Sequence, residues 1–95
     1  MTELCDLAYK YGSDKCPQIK HHFTEWYYQE FVSRKESVRK VVEIGIGELG
    51  IENPANCKIG ASLYMWRDFF PNAMIYGIDI DKNLLIRDDR IQCFE

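Results

Sequence analysis

The sequence of 95 residues predicts an α/β fold in which two helices precede a small parallel sheet. Two observations support this prediction. Short apolar segments rich in β-branched residues occur at 40–46 and 73–80, with a helix-like segment between them, which is the order of a parallel strand–helix–strand unit. A third strand-like segment, 90–95, extends to the last residue. We therefore expect three parallel strands with a helix packed on the sheet.

The two helices before the sheet are predicted from their capping residues and from the spacing of their apolar residues. Thr2 can cap the first helix, and Gly12 ends it. A polar connector follows, and Thr24 is predicted to cap a second helix over 25–36. Aromatic side chains recur at every fourth position of this region and would share one helix face. They are Phe23, Tyr27 and Phe31.

The strand segments are of the kind that is buried on both faces. "KVVEIGI" (40–46) and "AMIYGIDI" (73–80) are short and almost continuously apolar. Between them, "SLYMWRDFF" predicts a helix, because Leu63 and Trp66 share a face and Pro71 stops the helical pattern. A right-handed crossover would place this helix on the sheet.

Composition excludes several classes of protein. Apolar residues make up 46% of the chain and charged residues 28%, which is ordinary for one globular domain. No apolar run approaches the roughly 20 residues that cross a bilayer, and the N-terminus does not resemble a signal peptide. A net charge of −3 without a basic stripe gives no reason to expect a nucleic-acid partner. The four cysteines lack paired spacing, so we expect free thiols, a cytoplasmic location and no metal site.

Glycines follow the first predicted strand. Gly45 and Gly47 stand where a missing Cβ lets a ligand approach the backbone. With Gly50 they match the spacing GxGxxG, but a loop containing Pro54 separates them from the next helix. Phosphate binding at a helix N-terminus is therefore a poor prediction. Gly60 is the better candidate for the start of that helix.

Two carboxylates complete the pattern. Asp79 ends the second strand, where a carboxylate can accept hydrogen bonds from both ribose hydroxyls of an adenosine. Glu43 lies within the first strand and needs donors if it is buried, and backbone amides of the loop could supply them. Structural explanations stay open: a tight strand exit for the glycines, a helix cap for Asp79, and a solvent-facing edge position for Glu43.

These segments resemble motifs I and II of the class I S-adenosylmethionine-dependent methyltransferases, as "VVEIGIG" and "IYGIDI". The similarity is closer to one branch, the macrolide and sugar O-methyltransferases. That branch has a pattern similar to "KYGSDK", a segment like that from His21 to Thr24, "EIGIG", a long loop, "GASLYMW" and "FPNAMIYGIDID". The resemblance covers about residues 7–95, and the long loop is part of it.

The resemblance implies a fold, a cofactor and a set of residues that bind it. The fold would be the N-terminal half of a Rossmann-like domain at 40–95, with strand order 3-2-1, after a helical lid segment at 1–39. The cofactor would be S-adenosylmethionine or S-adenosylhomocysteine. His21 would either add a polar contact or only orient the turn before the second helix. The implied residues are Glu43, Gly45 and Gly47 at the methionine part, Asp79 at the ribose, Ile80 and Asp81 at the adenine, and Tyr11, Ser13 and Lys15 over the pocket.

The resemblance also implies that the cofactor site is incomplete. The whole fold has seven strands, and the strand that closes the cofactor crevice would follow residue 95, as would the metal ligands of this branch and any catalytic base. We therefore expect a truncated O-methyltransferase-like chain that is inactive alone and holds no catalytic residue. An end inside a strand favours truncation. The alternative is a non-catalytic half-domain, and a nucleotide-binding dehydrogenase half is a weaker third hypothesis.

The missing fourth strand has a consequence for association. Without it, the first strand lies at the edge of the sheet, and an apolar edge invites pairing with another chain. We expect a two-fold homodimer in which the two first strands pair antiparallel.

Overall fold

The structure is a computed structural model that describes residues 2–13, 15, 18, 22–46 and 59–95. Short 3-10 turns follow the second helix and the second strand. Among the described residues, no helix is long and apolar enough to cross a bilayer. In chain order the elements are α1 (Glu3–Tyr11), α2 (Phe23–Phe31), β1 (Lys40–Ile44), α3 (Ala61–Phe69), β2 (Met74–Ile78), β3 (Arg87–Asp88) and β4 (Ile91–Phe94).

The sheet has the order β1-β2-β4-β3. β1 pairs parallel with β2, and β2 pairs parallel with β4, whereas β3 pairs antiparallel with β4. Because β4 is the predicted third strand, the parallel strands have the predicted order 3-2-1 and the α/β fold class is confirmed. The two-residue strand β3 was not predicted.

The first helix has its predicted boundaries, and the second does not. Thr2 accepts a hydrogen bond from the Cys5 amide at 3.1 Å, and Gly12 ends α1 in the left-handed conformation with a φ of 81°. The predicted cap at Thr24 is wrong, because α2 begins at Phe23 and Thr24 lies inside it. The Thr24 side chain is fully buried and its hydroxyl donates to Cys5 Sγ at 3.1 Å. Thr24 therefore binds a side chain of α1 instead of capping the start of α2.

The second helix is also shorter than predicted. The α-helical part ends at Phe31, and Val32–Arg34 continue it as a 3-10 turn instead of an α-helix to residue 36. Tyr27 and Phe31 stack along the helix, and both rings contact Trp66 on α3. Two members of the predicted aromatic face, Tyr27 and Phe31, therefore pack α2 against α3, whereas Phe23 is 48% exposed.

One core joins the helices to one face of the sheet. α1 and α3 supply most of its helical side chains, and alternate residues of β2 and β4 supply the sheet side. Gly77 on β2 allows close approach of α3, because a Cβ there would lie 2.9 Å from Leu63 Cδ1 and 3.1 Å from Cys93 Sγ. Fully or almost fully buried members of this core are Leu4, Cys5, Ala8, Leu63, Met65, Phe69, Ile75 and Ile91.

The opposite face of the sheet is open. Val42 is 58% exposed and Ile44 is 82% exposed, so the prediction that the first strand is buried on both faces is wrong. The physical reason is that the core residues of the described helices cover only the other face. Ile44 lies beside Ile78, and Ile78 beside Phe94, in the strand register. An apolar surface thus runs across three parallel strands.

Candidate functional site

The carboxyl ends of β1 and β2 bring the first glycine and the strand-end aspartate together. The Gly45 amide donates to the Ile78 carbonyl at 2.7 Å, which continues the ladder beyond β1. The next amide, of Ile46, donates to Asp79 Oδ2 at 2.8 Å. Asp79 Oδ1 accepts from the Asp81 amide at 2.9 Å. The Asp79 carboxylate therefore links the backbone just after β1 to the backbone just after β2.

Gly45 has the backbone conformation and the free space that a ligand-contacting glycine needs. Its φ of 84° lies in the left-handed region, where a side chain is strained. A Cβ built on it would meet none of the described atoms within 4 Å. As far as the described residues show, the space beside the backbone of Gly45 is thus open at the point where the sequence predicts the cofactor. The residues present here fit an adenosyl ligand, since an open glycine and a carboxylate lie at neighbouring strand ends.

The helix after the loop begins at the predicted glycine. Gly60 has a φ of 75° and is the N-cap of α3, so its assignment as the start of the helix is confirmed. A side chain at this position would also collide with Ile86, whose Cδ1 would lie 2.5 Å from the added Cβ. Gly60 therefore sets where α3 begins and the direction in which its first turn faces β1.

Glu43 lies on the helix-covered face of β1 and contacts two side chains among the described residues. The Ser62 hydroxyl, in the first turn of α3, lies 3.0 Å from Oε1 and 2.8 Å from Oε2 of Glu43. The Lys15 ammonium lies 3.4 Å from Glu43 Oε1. A hydroxyl and an ammonium group are thus the donors that the described residues supply, and the predicted loop amides lie outside those residues. Ser62 lies in the segment "GASLYMW" but no role was predicted for it, because no local signal links it to Glu43, 19 residues earlier.

Ile80 and Asp81 follow Asp79 at the surface. The Ile80 side chain is 92% exposed, and Asp81 is exposed as well. An exposed apolar side chain next to the Asp79 carboxylate can cover one side of a flat ring. Their assignment to the adenine stays a prediction.

Tyr11 and Ser13 contact the helices. The Tyr11 hydroxyl donates to Asp68 Oδ2 at 2.5 Å, and its ring stacks on Tyr64 with centroids 5.4 Å apart, so these contacts lie on α3. Ser13 is buried, and its Oγ accepts from the Lys15 amide at 3.3 Å. Of the three predicted lid residues, Lys15 is therefore the one that the described contacts bring to Glu43. The lid roles of Tyr11 and Ser13 stay predictions.

Gly47 and His21 lie outside the described residues, as do Asp14 and the loop from 48 to 58. Their predicted roles stay predictions. In the part of the chain that the structure describes, no group of three or more His, Cys, Asp or Glu side chains is arranged to hold a metal ion.

A groove of about 520 Å³ runs beside β1 and was not predicted. Residues of β1 line it over the whole strand, together with aromatic side chains from α2 and α3, and Lys15 and Glu43 lie within it. β1 pairs with β2 on one side, and its other edge has no partner strand among the described residues. The aromatic residues of the groove are Tyr27, Phe31, Trp66 and Phe70.

Comparisons with known proteins show which proteins the chain is similar to. No family model matches the chain. Over 88 residues it is 38% identical to 8-demethyl-8-alpha-L-rhamnosyl tetracenomycin-C 2′-O-methyltransferase of Streptomyces olivaceus, covering 93% of this chain and 22% of that protein. Over 93 residues it is 33% identical to mycinamicin VI 2″-O-methyltransferase of Micromonospora griseorubida, covering 98% of this chain and 22% of that protein.

Solved structures give the same result. The MycE methyltransferase from the mycinamycin biosynthetic pathway, in complex with Mg and SAH, matches with a TM-score of 0.78 and 32% identity. The match covers 99% of this chain and 23% of that one. A complex of MycE with Mg, SAH and mycinamycin VI matches with the same TM-score.

The chain therefore resembles macrolide and sugar O-methyltransferases along almost all of its own length, and spans less than a quarter of theirs. This confirms the resemblance found in the sequence. The partial coverage also fits the prediction that the chain corresponds to an N-terminal part of such an enzyme.

Proposed function

We propose that this chain is a part of an S-adenosylmethionine-dependent O-methyltransferase that keeps half of the cofactor site and is inactive alone. The observation that carries the proposal is the junction of Gly45, Ile46 and Asp79 at the carboxyl ends of two parallel strands. Similarity to sugar O-methyltransferases over a fifth of their length supports the reaction class.

Each residue of the junction has a distinct task in this proposal. Asp79 follows the last residue of β2 and accepts hydrogen bonds from the ribose hydroxyls through its carboxylate, a group with about four acceptor positions. Gly45 leaves room for the methionine part, and Ile80 covers the adenine. When bound, the cofactor supplies a methyl group activated by its sulfonium.

Inactivity follows from what methyl transfer requires. An acceptor oxygen must be held in line with the methyl group, and its proton must be taken up. The proposal places the groups that do this in the remaining three quarters of the relatives' length. The described cysteines, Cys5 and Cys93, are free thiols, which suits the cytoplasm, where we propose that the chain resides.

Calorimetric titration of the chain with S-adenosylhomocysteine tests the proposal. We expect the unmodified chain to bind the ligand and Asp79→Ala to abolish binding. Asp79→Asn should only weaken it, because the asparagine side chain keeps one acceptor oxygen, for either the ribose or the backbone N–H of Ile46. Asp89→Ala, an exposed carboxylate in the turn before β4, is the matched control and should bind like the unmodified chain. No heat at millimolar ligand, or equal binding by all variants, would refute a cofactor site here.

A second candidate function is a non-catalytic half-domain that dimerises through β1. The free edge of β1, the groove beside it and the open apolar face support this candidate. An antiparallel pair of β1 strands about a two-fold axis at Val42 would join two four-stranded sheets. Residues 40, 42 and 44 of both copies would then lie on the open face.

Sedimentation equilibrium of two variants tests the dimer. Val42→Glu places two like charges opposite each other at the two-fold axis and should raise the dissociation constant at least tenfold. Val42→Thr keeps the β-branched shape and should leave it nearly unchanged. A monomer at every concentration of the unmodified chain would exclude this candidate.

A further inference from the structure

Arg90 has a backbone conformation that its residue type does not favour. Its φ is 59°, in the left-handed region, and among the described residues it is the one non-glycine residue with a positive φ. Asp89 and Arg90 form the two-residue turn between β3 and β4, in which Asp88 and Ile91 are paired. Glycine or asparagine is the usual residue where such a turn needs a positive φ. The arginine at this position therefore needs another explanation.

The guanidinium of Arg90 supplies that explanation, because it binds three backbone carbonyls at the end of α3. Nη1 donates to the Phe70 carbonyl at 2.9 Å and to the Ala73 carbonyl at 2.8 Å. Nη2 donates to the Arg67 carbonyl at 2.9 Å. Phe70 is the C-cap of α3, and Ala73 directly precedes β2. These hydrogen bonds are partly buried and so partly shielded from water.

The three carbonyls suit a forked cation. The last carbonyls of a helix have no partner within the helix, and they carry the negative end of its dipole. Arginine presents five N–H donors in a rigid planar fork, and hydrogen bonds from a charged donor are stronger than those between neutral groups. A lysine ammonium at the same place would be a point charge without the fork. The contacts thus use the properties that distinguish arginine from other residues.

The backbone of Arg90 binds a further part of the same region. Its carbonyl accepts from the Ile75 amide of β2 at 2.8 Å. One residue thereby contacts the end of α3, the connection from α3 to β2, and β2 itself. The side-chain partners lie 17 to 23 residues earlier in the chain. The contacts therefore form only when the hairpin of β3 and β4 docks on α3 and β2.

We propose that Arg90 acts as a clamp that makes the β3–β4 hairpin and the C-terminal end of α3 open and close as one unit. Strained residues persist only where the surrounding structure holds them. The strain at Arg90 and its three carbonyl contacts therefore belong together, and losing the contacts leaves the strain uncompensated. The proposal is independent of the proposed function, because no ligand takes part in it.

Two substitutions distinguish the clamp from a purely local turn preference. Arg90→Gly relieves the strain, and Arg90→Asn reduces it without adding the freedom that glycine gives to the unfolded chain. A local preference predicts that both raise the urea midpoint. The clamp predicts that both lower it, and that loss of the charge-assisted hydrogen bonds raises the equilibrium constant for unfolding by a factor of about ten or more. An unchanged or higher midpoint in either variant would overturn the proposal.

A pair of lysine variants separates the fork from the charge. Arg90→Lys keeps the positive charge at the end of α3 but loses the planar fork, so its midpoint should lie between those of the unmodified chain and Arg90→Asn. Arg87→Lys, at an exposed arginine of β3, is the matched control and should unfold like the unmodified chain. Equal midpoints for the two lysine variants would show that charge alone accounts for the effect, and would refute the clamp.

Amide hydrogen exchange measures the coupling itself. The Phe70 amide, bonded to the Trp66 carbonyl at 2.8 Å, reports on the end of α3. The Tyr64 amide, bonded to the Gly60 carbonyl at 3.1 Å, reports on its start. In Arg90→Lys, the mildest of the three variants, exchange at Phe70 should accelerate by a larger factor than exchange at Tyr64, because the end of α3 can then open without the hairpin. Equal acceleration at the two amides would mean that Arg90 adds only to overall stability, which contradicts the coupling.

Discussion

The two faces of the sheet are built from alternate residues of the same strands but have different surroundings. On one face, Ile75 and Ile91 are buried under α3. On the other, Val42, Ile44 and Phe94 are exposed. The side chains are equally apolar, so the difference lies in what covers them. Parallel sheets are ordinarily covered on both faces, and the apolar pattern of these strands suits a second layer that the described helices do not supply.

The largest predicted effect is on stability, when one apolar side chain on each face of the sheet is replaced by alanine. Leu63→Ala removes a fully buried side chain that packs on Gly77, and should lower the free energy of unfolding by about 2–5 kcal/mol. Ile44→Ala is the matched control on the open face, where the side chain is already in water, and should cost less than about 0.5 kcal/mol. Urea unfolding measures both, and equal costs would mean that the open face is covered in solution.

A smaller effect is expected where the covered face is most crowded. Gly77→Ala places a Cβ 2.9 Å from Leu63 Cδ1 and 3.1 Å from Cys93 Sγ, and should cost about 1–3 kcal/mol by overpacking. In the background of Leu63→Ala one of these contacts is gone, so the same substitution should cost less. Urea unfolding of the four variants of this cycle gives the coupling. Strict additivity would show that Leu63 does not set the space above Gly77.

Local signals in the sequence predicted those features that depend on neighbouring residues. The cap at Thr2 and the end of α1 at Gly12 are one-turn interactions, and both are confirmed. The position of Gly45 and Asp79 at the same edge of the sheet also followed from the sequence, because both were predicted to follow parallel strands, which end at the same edge. Alternating burial could not be predicted in the same way, since it depends on which layers are present.

The features that sequence reasoning missed depend on contacts between distant parts of the chain. Thr24 has the residue type of a helix cap, but the burial of its hydroxyl against Cys5 is decided by the packing of α2 on α1. Ser62 faces Glu43 only because Gly60 starts α3 where it does. β3 is two residues long, too short for a periodic pattern.

The smallest predicted effect concerns the rim of the covered face, where Tyr64 joins α3 to the hairpin of β3 and β4. Its hydroxyl donates to Asp88 Oδ2 at 3.0 Å, and burial, with this hydrogen bond to a carboxylate, raises the pKa of Tyr64 above its ordinary value of 10.0. The folded state thus favours the protonated phenol. This contribution to stability is fully present below pH 10 and is lost as the pH rises through the raised pKa.

Tyr64→Phe removes the titrating hydroxyl, so the variant should lose less stability at alkaline pH than the unmodified chain does. The urea midpoint of the unmodified chain should fall more between pH 9 and pH 12 than that of the variant, because only the unmodified chain loses the Tyr64 contribution there. Tyr9→Phe, at an exposed position of α1, is the control and should follow the unmodified chain. If the urea midpoints of all three proteins fell in parallel with pH, Tyr64 would ionise equally well in the folded and unfolded states. The contacts of Tyr64 at the rim would then contribute nothing to the pH dependence of stability.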